Sequence, residues 1–173
     1  MVLQRKDCGF TALELLIVVA IAAVLVAMAA PSFSELRRTA SLGSSANQLL
    51  GALHHARSTA ILRNVPAVVC LSADGRSCLS SAGTPGSGWL VFLDQERGSP
   101  VQLNAADELL RSAPLPSQVT VQGTRAAVTF WPTARAGTTS TFKLCDVHGD
   151  PRGKSVVVSQ TGRPRVAEGD ASC

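Results

Sequence analysis

Residues Cys8–Pro31 read CGFTALELLIVVAIAAVLVAMAAP, and the reading of this stretch decides the rest of the chain. From Leu15 to Ala30 sixteen consecutive side chains are apolar, with no polar atom among them except the thioether of Met28. From Phe10 to Ala30 the run is 21 residues. As a helix rising 1.5 Å per residue it would be about 31 Å long, close to the ~30 Å of a bilayer's hydrocarbon core. One carboxylate, Glu14, stands at the mouth of the run, and a short leader with Arg5 and Lys6 precedes it. Arg5 and Lys6 could serve as the basic region of a secretory signal, with Ala27-Met28-Ala29 as its small-residue cleavage site. The apolar region is long for that role, and Thr11 and Glu14 interrupt its start. A plain membrane anchor is the other simple reading, and it leaves Glu14 unexplained.

The chain of 173 residues is 46% hydrophobic and 4% aromatic, without tyrosine, and its net charge is +4. The length suits one domain with an appended helix. Beyond Pro31 the cations are twelve Arg and two Lys, a mild basic bias compatible with an anionic partner. The cysteines are Cys8, Cys70, Cys78, Cys145 and Cys173. Cys8 precedes the apolar run. The other four form an even set in the globular part, which points to two disulfides in an oxidising compartment and so to an exported C-terminal domain.

After Pro31 a helical period continues through Phe33, Leu36, Ala40, Ala46, Leu49, Leu50, Leu53, Ala56, Ala60 and Ile61. Gly43, Ser44 and Ser45 weaken its middle, and Asn64 and Pro66 close it. The pattern then changes to short runs rich in Val, Thr and Phe at 65–72, 88–94, 119–123, 126–131, 138–147 and 154–166, separated by turn-forming segments. The expected fold is α+β: a long N-terminal helix packed on an antiparallel sheet. A three-residue loop centred on Asp74, with Gly75 free to take positive φ, would set Cys70 opposite Cys78 across a hairpin. Four cysteines permit three pairings, and this layout favours Cys70–Cys78 with Cys145–Cys173.

No catalytic set emerges, and no cofactor or metal is expected. His54 and His55 are adjacent on a helix, hence on different faces, and lack the i, i+4 partner of a zinc helix. The cysteine spacings do not resemble zinc knuckles. Gly153-Lys154-Ser155 ends like a phosphate-binding loop, but His148 stands where the first glycine is required and a strand-like run follows. Trp89 and Trp131 read as packing residues. The candidate ligand surface is basic: Arg152, Lys154, Arg163 and Arg165, clustered in sequence around an expected hairpin, with Arg125 and Arg135 expected near it in the fold. If 163–165 is extended, both its arginines point the same way, with Pro164 suited to an edge. Guanidiniums so arranged grip phosphates, whereas the plain alternative is an edge strand kept soluble by charge.

The basic leader, Gly9-Phe10-Thr11, Glu14, the apolar helix and Pro31 resemble the signal of type IV pilins and pseudopilins. ANQLLGALHHARSTAILRN, PAVVCLS, GWLVFLD and SQTGRPRV resemble the GspH/FimT family of minor pilins and pseudopilins. The resemblance implies cleavage after Gly9 by prepilin peptidase and N-methylation of Phe10. It also implies that Glu14 acts in assembly, and that Pro31 is the helix-kinking position. The implied parts are a leader at 1–9, a transmembrane and filament-core helix at 10–30, its amphipathic continuation at 31–64, and a periplasmic β-rich domain at 65–173. The protein would sit in the inner membrane with its N-terminus cytoplasmic and then enter a pilus or pseudopilus beside other pilins. Some FimT-type members are linked to DNA uptake, and their G-R-x-R matches Gly162, Arg163 and Arg165. Membership of a type IV pilus is the leading expectation and of a type II secretion pseudopilus the alternative. A soluble periplasmic domain released after Ala29 is a third reading.

The carboxylate at the mouth of the run then has a physical role. Cleavage would leave a charged amine on Phe10 beside lipid. Glu14 of a neighbouring helix could neutralise it where a low dielectric makes the pair matter.

Overall fold

The architecture is taken from a computed structural model, which describes residues 11–97, 101–133, 139–148, 152–167 and 171–173, without the side chains of 28–32. Among the described residues one helix, α1 (Ala12–Arg63), is followed by nine strands. They are β1 (Ala67–Ser72), β2 (Gly88–Leu93), β3 (Glu108–Pro114), β4 (Val119–Gly123), β5 (Ala127–Phe130), β6 (Ser140–Asp146), β7 (Arg152–Val158), β8 (Pro164–Val166) and β9 (Ala171–Ser172). The first sheet has the order β3-β2-β1-β5 and the second β4-β6-β7-β8, with β9 also on β7. All pairings are antiparallel. This is the α+β arrangement expected.

The chain divides into two compact units, residues 1–38 and 39–173. In the second, Leu42, Ala46, Leu49, Leu53, Ala56 and Ala60 recur every three or four residues and lie buried on one face of α1. They share a core with Val69, Leu71, Trp89 and Val91 of the first sheet, and with Val121, Phe142, Leu144, Val156 and Val158 of the second. Each fully buried leucine or valine contributes roughly 1.5–3 kcal/mol, so this face is the main hold on the helix. The helix ends where Asn64 turns to φ 55°, the left-handed closing residue that Asn tolerates better than most.

Three details differ from the sequence-based expectation. First, the buried stripe is shorter: Phe33, Leu36, Ala40 and Ile61 are exposed, and Leu50 is only partly covered. Periodicity reports the phase of an apolar face but not its length. Second, β3, with sequence ELLRSAP, was not anticipated. It is an edge strand whose side chains are mostly exposed, so it lacks the alternation that marks a half-buried strand, and a register shift opposite Val91/Phe92 breaks the period again. Third, Cys70 does not face Cys78 across a hairpin. The strand neighbours of Cys70 are Leu90 and Ala127. Cys78 lies in the loop after β1, where the Leu79 N–H donates to the Leu71 carbonyl at 2.8 Å.

Disulfides join Cys70 to Cys78 and Cys145 to Cys173, with Cα–Cα distances of 5.5 and 5.9 Å. The first bridge caps the face of the first sheet turned away from α1, where Val68, Cys70, Leu90 and Phe92 are buried under Cys78, Val101 and Leu103. Cover on both faces is why β1 and β2 read as unbroken apolar runs. The second bridge ties the chain's last strand to β6. Closing sequence separations of 8 and 28 removes unfolded-chain entropy of about 2.5 and about 3.6 kcal/mol respectively on the loop-closure model.

Candidate functional site

Two regions hold the candidate residues. At the start of α1, Thr11 is the capping residue: its Oγ1 accepts the Glu14 N–H at 3.3 Å and its carbonyl accepts the Leu15 N–H at 3.2 Å. Thr-x-x-Glu is the spacing of a capping box, legible in the sequence at Thr11 and Glu14. An acidic side chain in the first turn also complements the helix dipole. Glu14 is exposed, as is every large apolar side chain from Leu13 to Val26, the least exposed being Ile17 at 52%. Among the described residues no helix is long and apolar enough to cross a membrane, and the described side chains of this run stop at Ala27. Gly9 and Phe10 lie outside the described residues, as does the side chain of Pro31.

The basic region is organised by the register of the second sheet. Along β6 burial alternates, with Phe142 and Leu144 in the core and Lys143 exposed. Lys143 pairs with Ser155 on β7, and Arg165 on β8 pairs with Val157, two residues further on. Alternation therefore puts Lys143, Ser155, Val157 and Arg165 on one face, turned away from the core. Arg163 and Arg165 are exposed on either side of buried Pro164. Arg152 and Lys154 fall on the other face, the one carrying Val156 and Val158, and both have partners of their own. The four cations expected as one cluster are thus split two and two. Lys143 joins the arginines from a strand 20 residues away in sequence, a juxtaposition no local pattern reveals. Arg125 is exposed in the β4–β5 turn, and Arg135 lies outside the described residues.

The glycine of Gly162-Arg163-Pro164-Arg165 has a backbone task. At φ 71° its N–H donates to the Ser159 carbonyl at 2.9 Å, closing the β7–β8 turn. The Ser159 N–H donates to the Arg163 carbonyl at 3.2 Å, and the Arg163 N–H donates back to Ser159 Oγ at 3.3 Å. The arginines are therefore presented by a closed turn. On β4 and β6, Gln122, Gly123, Thr124, Thr141 and Lys143, with Ala82 and Gly83, line an open groove of about 390 Å³. The Lys143 Nζ donates to the Ser172 carbonyl at 3.3 Å, so the tail held by Cys145–Cys173 orients that ammonium.

The other candidates have ordinary surroundings. His54, His55 and His148 are exposed. Trp89 is fully buried, as a packing residue should be, whereas Trp131 is exposed, with the Arg97 guanidinium 5.9 Å from its ring centre. Among the described residues no group of three His, Cys, Asp or Glu side chains could hold a metal ion.

Residues 45–162 match the family model described as type II transport protein GspH, and residues 4–30 match that of the prokaryotic N-terminal methylation motif. Among solved structures, the type IV minor pilin FimU of Pseudomonas aeruginosa is 23% identical, with a TM-score of 0.56 over 76% of this chain and 99% of that one. The minor pseudopilin EpsH from the type 2 secretion system of Vibrio cholerae is 13% identical, with a TM-score of 0.51 over 73% of this chain and 96% of that one. At these identities the likeness is one of fold. No curated protein matches the chain.

Proposed function

The chain belongs to the GspH family of pilin-like proteins, minor pilins and pseudopilins, and from that premise we propose that it is stored in the inner membrane and built into a type IV pilus or a pseudopilus. The carrying observation is a capped helix start followed by a segment apolar on every side and exposed on every side. Water does not tolerate a contiguous apolar surface of that extent, whereas lipid and a bundle of like helices both do. Prepilin peptidase would cut after Gly9, and N-methylated Phe10 would lead the mature chain. The Glu14 carboxylate then neutralises the amine of a neighbouring subunit. Intact mass of the membrane-extracted chain tests this. A chain starting at Phe10 with one added methyl supports the reading; one starting at Met1 in cells with active peptidase, or at Ala30, overturns it.

A second reading concerns what the assembled subunit binds. The exposed pair Arg163 and Arg165, fixed by a closed turn, suits the phosphates of DNA, and Gly162-Arg163-Pro164-Arg165 matches the G-R-x-R of FimT-type members. On this reading the protein is a FimT-like minor pilin, and a role in a type II secretion pseudopilus is the alternative. Replacing both arginines with alanine is expected to lower the slope of log affinity against log salt by about two, since each lost phosphate contact removes roughly 0.9. An unchanged slope with the fold intact would remove DNA from the account.

A further inference from the structure

We propose that Lys143 and the groove beside it form a second phosphate subsite, so that DNA lies across the outward face of the second sheet rather than along its β8 edge alone. The inference rests on the DNA reading above and extends it to residues outside the arginine motif.

Three observations carry it. The first is register. Lys143 is two strands from Arg165 (β6 to β7 to β8) and two residues out of line with it. With strands about 4.8 Å apart and about 3.4 Å per residue, their Cα positions are about 12 Å apart on one face. At that spacing the two side chains can hold separate phosphates of one bound duplex.

The second is composition. The described residues of this face of β4, β6, β7 and β8 are Thr120, Gln122, Thr141, Lys143, Cys145, Gly153, Ser155, Val157 and Arg165, with Arg163 just before β8. Among them there is no side-chain carboxylate to repel a polyanion and no aromatic ring on which an unpaired base could stack. Binding here is by backbone contact, and the occupant is a duplex.

The third is presentation. The Lys143 ammonium uses one donor on the Ser172 carbonyl, which leaves two for a phosphate. Gln122 and Thr141 line the groove beside it with an amide and a hydroxyl that can hydrogen-bond phosphate and sugar oxygens.

The test uses the full chain in detergent with a fluorescent duplex of mixed sequence, titrated over a salt series. Lys143→Ala is expected to reduce the salt slope by about one and Lys143→Arg to keep it. Lys154→Gln, on the opposite face, should leave the slope at its starting value. Three outcomes overturn the subsite: a normal slope for Lys143→Ala while the double arginine variant loses its share, an equal loss for Lys154→Gln, or tighter binding of single-stranded DNA of the same length. If the unaltered chain retains no DNA, the underlying reading falls and the subsite falls with it. Circular dichroism of each variant separates these results from misfolding.

Discussion

Ser45 lies on the buried face of α1 with no exposed surface, and its Oγ has no hydrogen-bond partner. An unmet buried hydroxyl costs about 1–3 kcal/mol, and serine is a poorer helix former than alanine. Ser45→Ala is therefore expected to raise stability by about 1 kcal/mol, read as a higher midpoint in urea at unchanged slope. Asp74 behaves in the opposite sense. Its carboxylate accepts the N–H groups of Ser77 and Arg76, both at 2.8 Å, and the hydroxyls of Ser77 and Ser72. The backbone donor of Ser77 has the largest effect, and together these bonds hold the carboxyl well below its ordinary value of 3.8. A depressed folded value means that the contribution is complete above 3.8 and is lost as pH falls through the folded value. Asp74→Asn should lower Tm at neutral pH and flatten its fall in acid. An acid limb identical to that of the unaltered chain would refute the assignment.

Among the elements, β7 shows how a single glycine permits a covalent tie. A Cβ built at Gly153 would collide with Cys173 Sγ and come within 2.6 Å of the Leu144 carbonyl oxygen. Since backbone blocks one side and the disulfide the other, neither can yield cheaply. Gly153→Ala is expected to leave a free thiol pair at Cys145 and Cys173 in a measurable fraction of molecules and to lower Tm, and thiol titration of the oxidised protein would show it. The alternation of β4 and β6 was legible in the sequence because each buries one face and wets the other. β3 was not, because a strand exposed over most of its length has no reason to alternate. The turn before β8 was legible as a turn, and Gly162 serves it locally, at φ 71° and with its N–H on the carbonyl of Ser159 three residues earlier.

At the scale of the whole molecule, the assembly role proposed for Glu14 can be separated by substitution from its place in the first turn of α1. In its own chain it occupies the third position of a capped first turn; between chains its charge would answer the amine of a neighbour. Glu14→Gln keeps the hydrogen-bonding capacity of a capping box and removes the charge. It should leave membrane insertion and processing intact while cutting filament incorporation at least tenfold, measured by immunoblot of sheared filament fractions against membranes. Normal incorporation would assign Glu14 to helix capping alone.

The N-terminal motif, the apolar helix, the phase of its buried stripe and most strands were set by the sequence alone, because each depends on neighbours within a few residues along one chain segment. Which cations share a face was decided only by tertiary structure. Lys143 and Arg165 are brought together by two successive strand registers, through Ser155 and Val157, and a slip of one residue in either would turn one of them to the opposite side. That register is settled by burying Phe142, Leu144, Val156 and Val158 against α1 and the first sheet, a condition imposed by the whole core and by no local stretch.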